Sequence, residues 1–234
     1  CSVPLLFYGN SHSGCLRDNR LTGLQSDKMA KNLVRRILIG TTNPHKLEEI
    51  REILRDLPVE LVSPDKFAPL PEVVEDGRTF RENAVKKAVE WARFTGYWTM
   101  AEDSGLEVHA LGGAPGVLSA RYAGEGATYE VNNLKLLKNL EGMPTEQRTA
   151  RFCCTVALAK PEGLVFVVDG ERAGLIAERP RGRHGFGYDP VFYLPEYGKT
   201  FAELGPETKN RISHRTRALK KFRERLLMVL DGEN

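Results

Sequence analysis

Four short clusters hold side chains that could bind a phosphorylated ligand and activate water. The first, Thr41-Thr42-Asn43-Pro44-His45-Lys46, joins an apolar run at residues 34–40 to a helical pattern. Free N–H groups and the positive dipole end at a helix start favour phosphate. Two hydroxyls, the Asn43 amide and Lys46 add donors there. An ordinary capped turn uses the same residues, with Asn43 as N-cap and Pro44 at the first helical position. The glycines of a P-loop are absent.

The second cluster pairs Glu82 with Glu102-Asp103. Glu82 can also complete a capping box with Thr79, and Asp103 can cap a turn at Ser104-Gly105. Acids at the end of a buried strand are expensive unless paired or metal-bound. Oxygen ligands from a helix start and a strand end suit Mg2+, which keeps several waters and binds substrate phosphates. Lys87 either reaches phosphate or is solvated. The third cluster is Gly185-Phe186-Gly187-Tyr188-Asp189-Pro190, where glycines around an aromatic allow a flat ligand to approach and stack. A tight surface turn is the other reading. The fourth is Lys209 with Ser213-His214-Arg215, either donors aimed at a base or phosphate or a helix cap with solvated cations.

Other chemistries find less support. The five histidines show no zinc spacing, and Ser104-Gly105 lacks the G-x-S-x-G elbow. Cys153-Cys154 lies in an apolar strand pattern, where packing is the default. Of 234 residues, 34 are basic and 31 acidic, a formal charge of +3 that does not favour bulk attraction to nucleic acid. Residues 209–225 are a local exception, with eight basic residues and one acid. No apolar run approaches a membrane span, and no C-x-x-C pair exists, so a reduced, cytoplasmic protein is expected.

These clusters must be positioned by alternating strands and helices. Residues 34–40, 59–63, 72–76 and 98–101 read as strands, the last ending in Glu102-Asp103-Ser104-Gly105. Helices are expected after Asn43, after Thr79, over residues 128–140 and after Ser213. Residues 111–126 read as irregular. Residues 151–159, 164–169 and 173–178 suggest a β-meander, with turns at Pro161-Glu162-Gly163 and Gly170-Glu171, followed by a strand at 191–194. Residues 1–32 lack periodicity and read as a disordered leader before a domain at 33–234, with Met29 as the expected start of translation.

Taken in order, the motifs resemble the inosine triphosphate pyrophosphatase family over about residues 35–230. The matching residues are Thr42-Asn43-x-x-Lys46, Thr79-Phe80-x-Glu82-Asn83-Ala84 and Asp103-Ser104-Gly105-Leu106. They continue in Leu111-Gly112-Gly113-Ala114-Pro115-Gly116, Ser119-Ala120-Arg121-Tyr122, Gly185 to Pro190 and Ile212-Ser213-His214-Arg215. The resemblance implies an elongated α/β fold, with a mixed sheet, flanking helices and two lobes around a central substrate cleft. It implies a Mg2+-dependent homodimer that converts ITP, dITP or XTP to the monophosphate and pyrophosphate, with no nucleic-acid or membrane partner. Residues 41–46 would hold phosphates, Glu82 and Asp103 the metal. Asp103 would be the general base, with Lys87 assisting at the phosphates. Phe186 would stack on the purine, and Asp189, Lys209, His214 and Arg215 would read or bracket it, with Ser104 nearby.

The chain departs from the family pattern at Glu102, where an aspartate is usual, and at Arg183-His184, where small residues are common. Competing readings are a Maf-type pyrophosphatase acting on other modified nucleotides and a non-catalytic nucleotide- or RNA-binding module built on the basic C-terminal helix.

Overall fold

The computed structural model describes residues 35–67 and 69–232, so the expected leader lies outside the described residues. The elements are β1 (Arg35–Gly40), α1 (Pro44–Leu54), β2 (Val59–Val62), α2 (Phe80–Thr95), β3 (Trp98–Val108) and α3 (Tyr129–Asn139). They continue with β4 (Thr149–Lys160), β5 (Gly163–Ile176), β6 (Phe192–Leu194), β7 (Lys199–Thr200), α4 (Phe201–Ile212) and α5 (His214–Gly232). The strands form one mixed sheet in the order β2-β1-β3-β4-β5-β6-β7. β1 runs parallel to β2 and β3, and every later pairing is antiparallel. The α/β fold with a mixed sheet and flanking helices is therefore the one the sequence suggests.

Apolar spacing explains how the helices are seated. Ile50 and Leu54 of α1 and Leu219, Phe222 and Leu226 of α5 pack with Ile37, Ile39, Met100, Val156 and Leu158. Ala84, Ala88 and Ala92 recur one turn apart on α2 and meet Ala101, Ala157 and Ala159. Methyl groups on both sides let that helix lie close to the sheet. A separate cluster joins Leu106, Val108, Ala150 and Phe152 to Leu136 of α3, Phe192 and Phe201. The long strands β3 and β4 thus carry one apolar cluster near each end, and residues 102–105 fall between them.

Four expectations need correcting. β3 does not stop before Glu102-Asp103-Ser104-Gly105; it runs through them, paired with β4 from Thr99 to Val108. The element that stops is β1, whose Gly40 pairs with Ala101, so that edge of β3 opens at Glu102 and is covered again from Leu106 by residues 114–119. Crevices at the carboxyl ends of parallel strands are where ligands bind in such sheets. Residues 72–76 form no strand. That extended segment is tied instead by side chains, with Trp91 Nε1 donating to the Pro71 carbonyl at 3.0 Å and Arg121 to that of Glu75 at 3.2 Å.

Gly170-Glu171 is not a turn, because β5 is continuous through it. Gly170 is needed there for close approach: a Cβ would lie 2.3 Å from the His214 carbonyl oxygen and 2.4 Å from Ala218 N. Gly170→Ala should therefore destabilise the protein by about 1–3 kcal/mol, the usual range for overpacking. A thermal melt checks this, at roughly 2–4 °C per kcal/mol for a chain of this size. An unchanged melting temperature would show that α5 shifts freely. Finally, α4 has no counterpart among the expected helices. Gly205 (φ 77°), followed by Pro206, kinks this helix, and helical pairing resumes beyond it.

Candidate active site

A cavity of about 750 Å³ opens beside the exposed edge of β3. Its lining brings together Thr41, Thr42, Asn43, Lys46, Lys87, Asp103 and Ser104, and also Phe186, Gly187, Tyr188, Asp189, Lys209, His214 and Arg215. Pro44, His45 and Glu82 are not among the lining residues. Pro44 occupies the first turn of α1, whereas the His45 ring lies 5.2 Å from that of Phe186 with 12° between the planes.

The helix start at α1 is not a bare anion site. Asn43 Oδ1 accepts from the N–H groups of His45 and Lys46, at 3.0 and 3.3 Å, and the Asn43 carbonyl accepts from Leu47. Pro44 has no N–H. The donors this corner offers the cavity are therefore chiefly side chains, Lys46 and the two threonine hydroxyls.

The acidic cluster divides by role. Asp103 Oδ2 accepts from Asn83 Nδ2 at 2.9 Å, and its Oδ1 from the Ser104 N–H at 2.8 Å. Burial pushes the Asp103 carboxyl above its ordinary range; Lys46, the Asn83 hydrogen bond and Lys87 only partly offset this. Glu102 alternates to the other face of the strand and is 1% exposed. Burial alone would raise its carboxyl, but Arg215 and Lys46 outweigh that and hold it well below the carboxylate range. Arg215 donates Nε to Glu102 Oε2 at 2.8 Å and Nη2 to Oε1 at 3.0 Å, while Lys46 Nζ lies 3.1 Å from Oε1.

Glu82 caps its own helix: its N–H donates to Thr79 Oγ1 at 3.1 Å, and its carboxylate accepts from the Arg78 N–H at 2.6 Å. Glu72 and Glu75 of the extended segment line the cleft, as does Asp65. Glu75 pairs with Lys87, whose Nζ also donates to the Glu102 carbonyl at 3.3 Å. Among the described residues, no group of three or more His, Cys, Asp or Glu could hold a metal unaided. One or two carboxylates, with substrate phosphates and water completing the shell, is the usual Mg2+ arrangement, and Asp103 with Glu75 fits it.

The aromatic side is built on Phe186. Lys209 Nζ lies 4.5 Å from the ring centroid and the Arg215 guanidinium carbon 5.7 Å. Lys209 is held by Asp189 at 2.7 Å and Glu49 at 2.9 Å, and Glu49 also pairs with Arg215. His214 stacks on Phe152 with centroids 4.6 Å apart, and its buried Nδ1 has no hydrogen-bond partner. Burial, with Arg215 and Lys209 nearby, drives its pKa well below the ordinary value, so the ring is neutral. Elsewhere in the basic stretch, Arg217 and Lys221 donate to the carbonyls of Glu171 and Asp169.

The sequence did not single out Glu49, Glu75 or Asn83 as site residues. Glu49 follows Lys46 by three positions on α1, an i,i+3 spacing that could have marked it. Its partners lie more than 150 residues away and carry no local signal. Glu75 sits in the 72–76 segment, which reads as a strand by sequence and forms none in the fold.

Comparison with known proteins bears on the whole domain. Residues 37–225 match the model of the Ham1 family. A dITP/XTP pyrophosphatase of Desulforamulus reducens is 51% identical over 189 residues, covering 81% of this chain and 94% of that protein. One from Geobacter sulfurreducens is 52% identical over 191 residues, covering 82% and 96%. Among solved structures, a HAM1 protein from Coxiella burnetii is 41% identical with a TM-score of 0.77, covering 83% of this chain and 100% of that one. A dITP/XTP pyrophosphatase from Mycobacterium abscessus is 44% identical with a TM-score of 0.68, covering 80% and 98%. Extended similarity of this kind, over the residues that build both sheet and cleft, places the chain in the Ham1 family.

Proposed function

We propose that this chain hydrolyses non-standard purine nucleoside triphosphates, ITP, dITP and XTP, to the monophosphate and pyrophosphate, with Mg2+ as cofactor. The observation that carries the reading is one cavity lined both by a buried acid beside two lysines and by an aromatic ring beside two cations. The names of the close relatives point the same way.

Lys46 and Lys87 face the triphosphate, whose charge otherwise opposes attack by water. Asp103 and Glu75 would hold Mg2+, which would supply further neutralisation of phosphate charge and activation of water. Asp103 accepts the proton as water oxygen bonds to the α-phosphorus. The bond from that phosphorus to the bridging oxygen breaks, and pyrophosphate leaves with the electron pair. The raised basicity that burial gives Asp103 suits this role. Phe186 offers a face for the purine, and His214 Nδ1 is a buried polar atom with hydrogen-bonding capacity to spare.

The same proposal includes a homodimer and a cytoplasmic location. No helix among the described residues is long and apolar enough to cross a membrane. Exposed Leu118, Val131 and Leu134 provide apolar surface of the kind a second copy covers. Pyrophosphate release should be measured across ITP, dITP, XTP, GTP, ATP and CTP, with and without Mg2+. The expected outcome is Mg2+-dependent release that is fastest with ITP, dITP or XTP. Release fastest with CTP, or phosphate in place of pyrophosphate, would overturn the reading.

A further inference from the structure

Helix α3 has no place in the chemistry described so far, yet one face of it addresses the Phe186 side of the cleft. Tyr129, Asn132 and Asn133 share that face by the i, i+3, i+4 spacing of a helix. Tyr129 lies 6.1 Å from the Phe186 ring, centroid to centroid. Asn132 Oδ1 accepts from the Ala123 N–H at 2.7 Å, and its Nδ2 donates to the Ala120 carbonyl at 3.1 Å. Asn133 Nδ2 donates to the Gly187 carbonyl at 3.0 Å.

Phe186 stands between Gly185 and Gly187, both in the left-handed region at φ 79° and 61°. Glycines allow this turn but do not rigidify it, so the ring's position depends on anchors. Before the ring, Asp189 Oδ2 accepts the Phe186 N–H at 2.9 Å. After it, Tyr188 OH donates to the Ser119 carbonyl at 2.9 Å. The Gly187 carbonyl, immediately beyond the ring, is held by Asn133.

Asn133 is 5% exposed, and its Oδ1 has no hydrogen-bond partner. An apolar residue here would avoid the unpaired Oδ1 but would leave the Gly187 carbonyl without this donor. What the amide alone supplies is the N–H to Gly187. We infer that Asn133 is a positioning residue for base recognition: its amide clamps the Gly187 carbonyl and fixes the Phe186 ring where a purine stacks. The inference rests on the proposed stacking role of Phe186.

Asn133→Asp keeps the shape but sets an oxygen against the Gly187 carbonyl, and Asn133→Ala removes the donor without adding repulsion. The KM for ITP should rise about 5- to 20-fold in both, the low end for losing a buried hydrogen bond. The kcat should stay within roughly twofold, because interactions lost equally in ground and transition state leave it unchanged. Inhibition by inorganic tripolyphosphate, which has no base, should not weaken. If Asn133→Asp fails to fold, Asn133→Ala decides by the same criteria. An unchanged KM, or kcat and tripolyphosphate inhibition deteriorating together with KM, would overturn the inference. Phe186→Ala separates the two readings. If it leaves KM unchanged, the stacking role fails and the clamp with it. If it raises KM while neither Asn133 variant does, the clamp alone fails.

Discussion

Replacing Asp103 by asparagine should cut turnover at least ~10²-fold, the low end for loss of a general base, while nucleotide still binds. The side chain keeps its size, but two acceptors become one. Asp103 takes hydrogen bonds on both oxygens, from Asn83 and from the Ser104 N–H. An asparagine satisfies one of these donors and turns its own amide toward the other. Part of any loss is therefore positional, and Asn83→Ala measures that part, because it removes the donor and leaves the carboxylate. Its turnover should fall much less than that of Asp103→Asn. Steady-state pyrophosphate release with ITP, alongside calorimetric binding of a non-hydrolysable ITP analogue, gives both quantities. Near-normal turnover in Asp103→Asn would remove Asp103 from the role of base, and equal losses in the two variants would make its role positional.

Local chemistry was the legible part of this chain. Asn43-Pro44 announces a helix start because an N-cap acceptor and a fixed φ are properties of single residues, and α1 begins there. Thr79 with Glu82 announces α2 for the same reason. What a sequence conceals is the partner at long range. Gly170 reads as a turn by type, but its meaning lies in the backbone of α5 pressed against it. Glu82 and Glu75 are chemically equivalent carboxylates; only the path of the extended segment shows that Glu75, and not Glu82, lines the cleft. Glu102 is the sharpest case. By sequence it is only a departure from the family pattern, one methylene longer than the usual aspartate. In the fold its carboxylate turns away from Asp103 to bind Arg215 and Lys46.

That pairing sets the second large effect. Arg215→Ala should destabilise the protein by about 3 kcal/mol, the low end for breaking a buried ion pair, because Lys46 still serves Glu102 and Lys209 still serves Glu49. Chemical denaturation checks this, and adding Glu102→Gln should recover part of the loss by removing the stranded charge. The same variant bears on base choice. Inosine and xanthine present a 6-keto acceptor where adenine presents a donor, and arginine and lysine can only donate. Arg215 spends four of its N–H groups on Glu102, Glu49 and Ser104. Lys209 spends two of three on Asp189 and Glu49. Each cation thus keeps one donor, and both lie over Phe186. A donor left facing the adenine amino group costs roughly 1–3 kcal/mol, or about 5- to 150-fold in kcat/KM. The ITP/ATP ratio of kcat/KM should therefore fall in Arg215→Ala by an amount in this range. Lys209→Met, measured beside it, assigns the contact. If the ratio survives Arg215→Ala but collapses in Lys209→Met, the keto oxygen is read by Lys209, and Arg215 serves only to hold Glu102 and Glu49 in place.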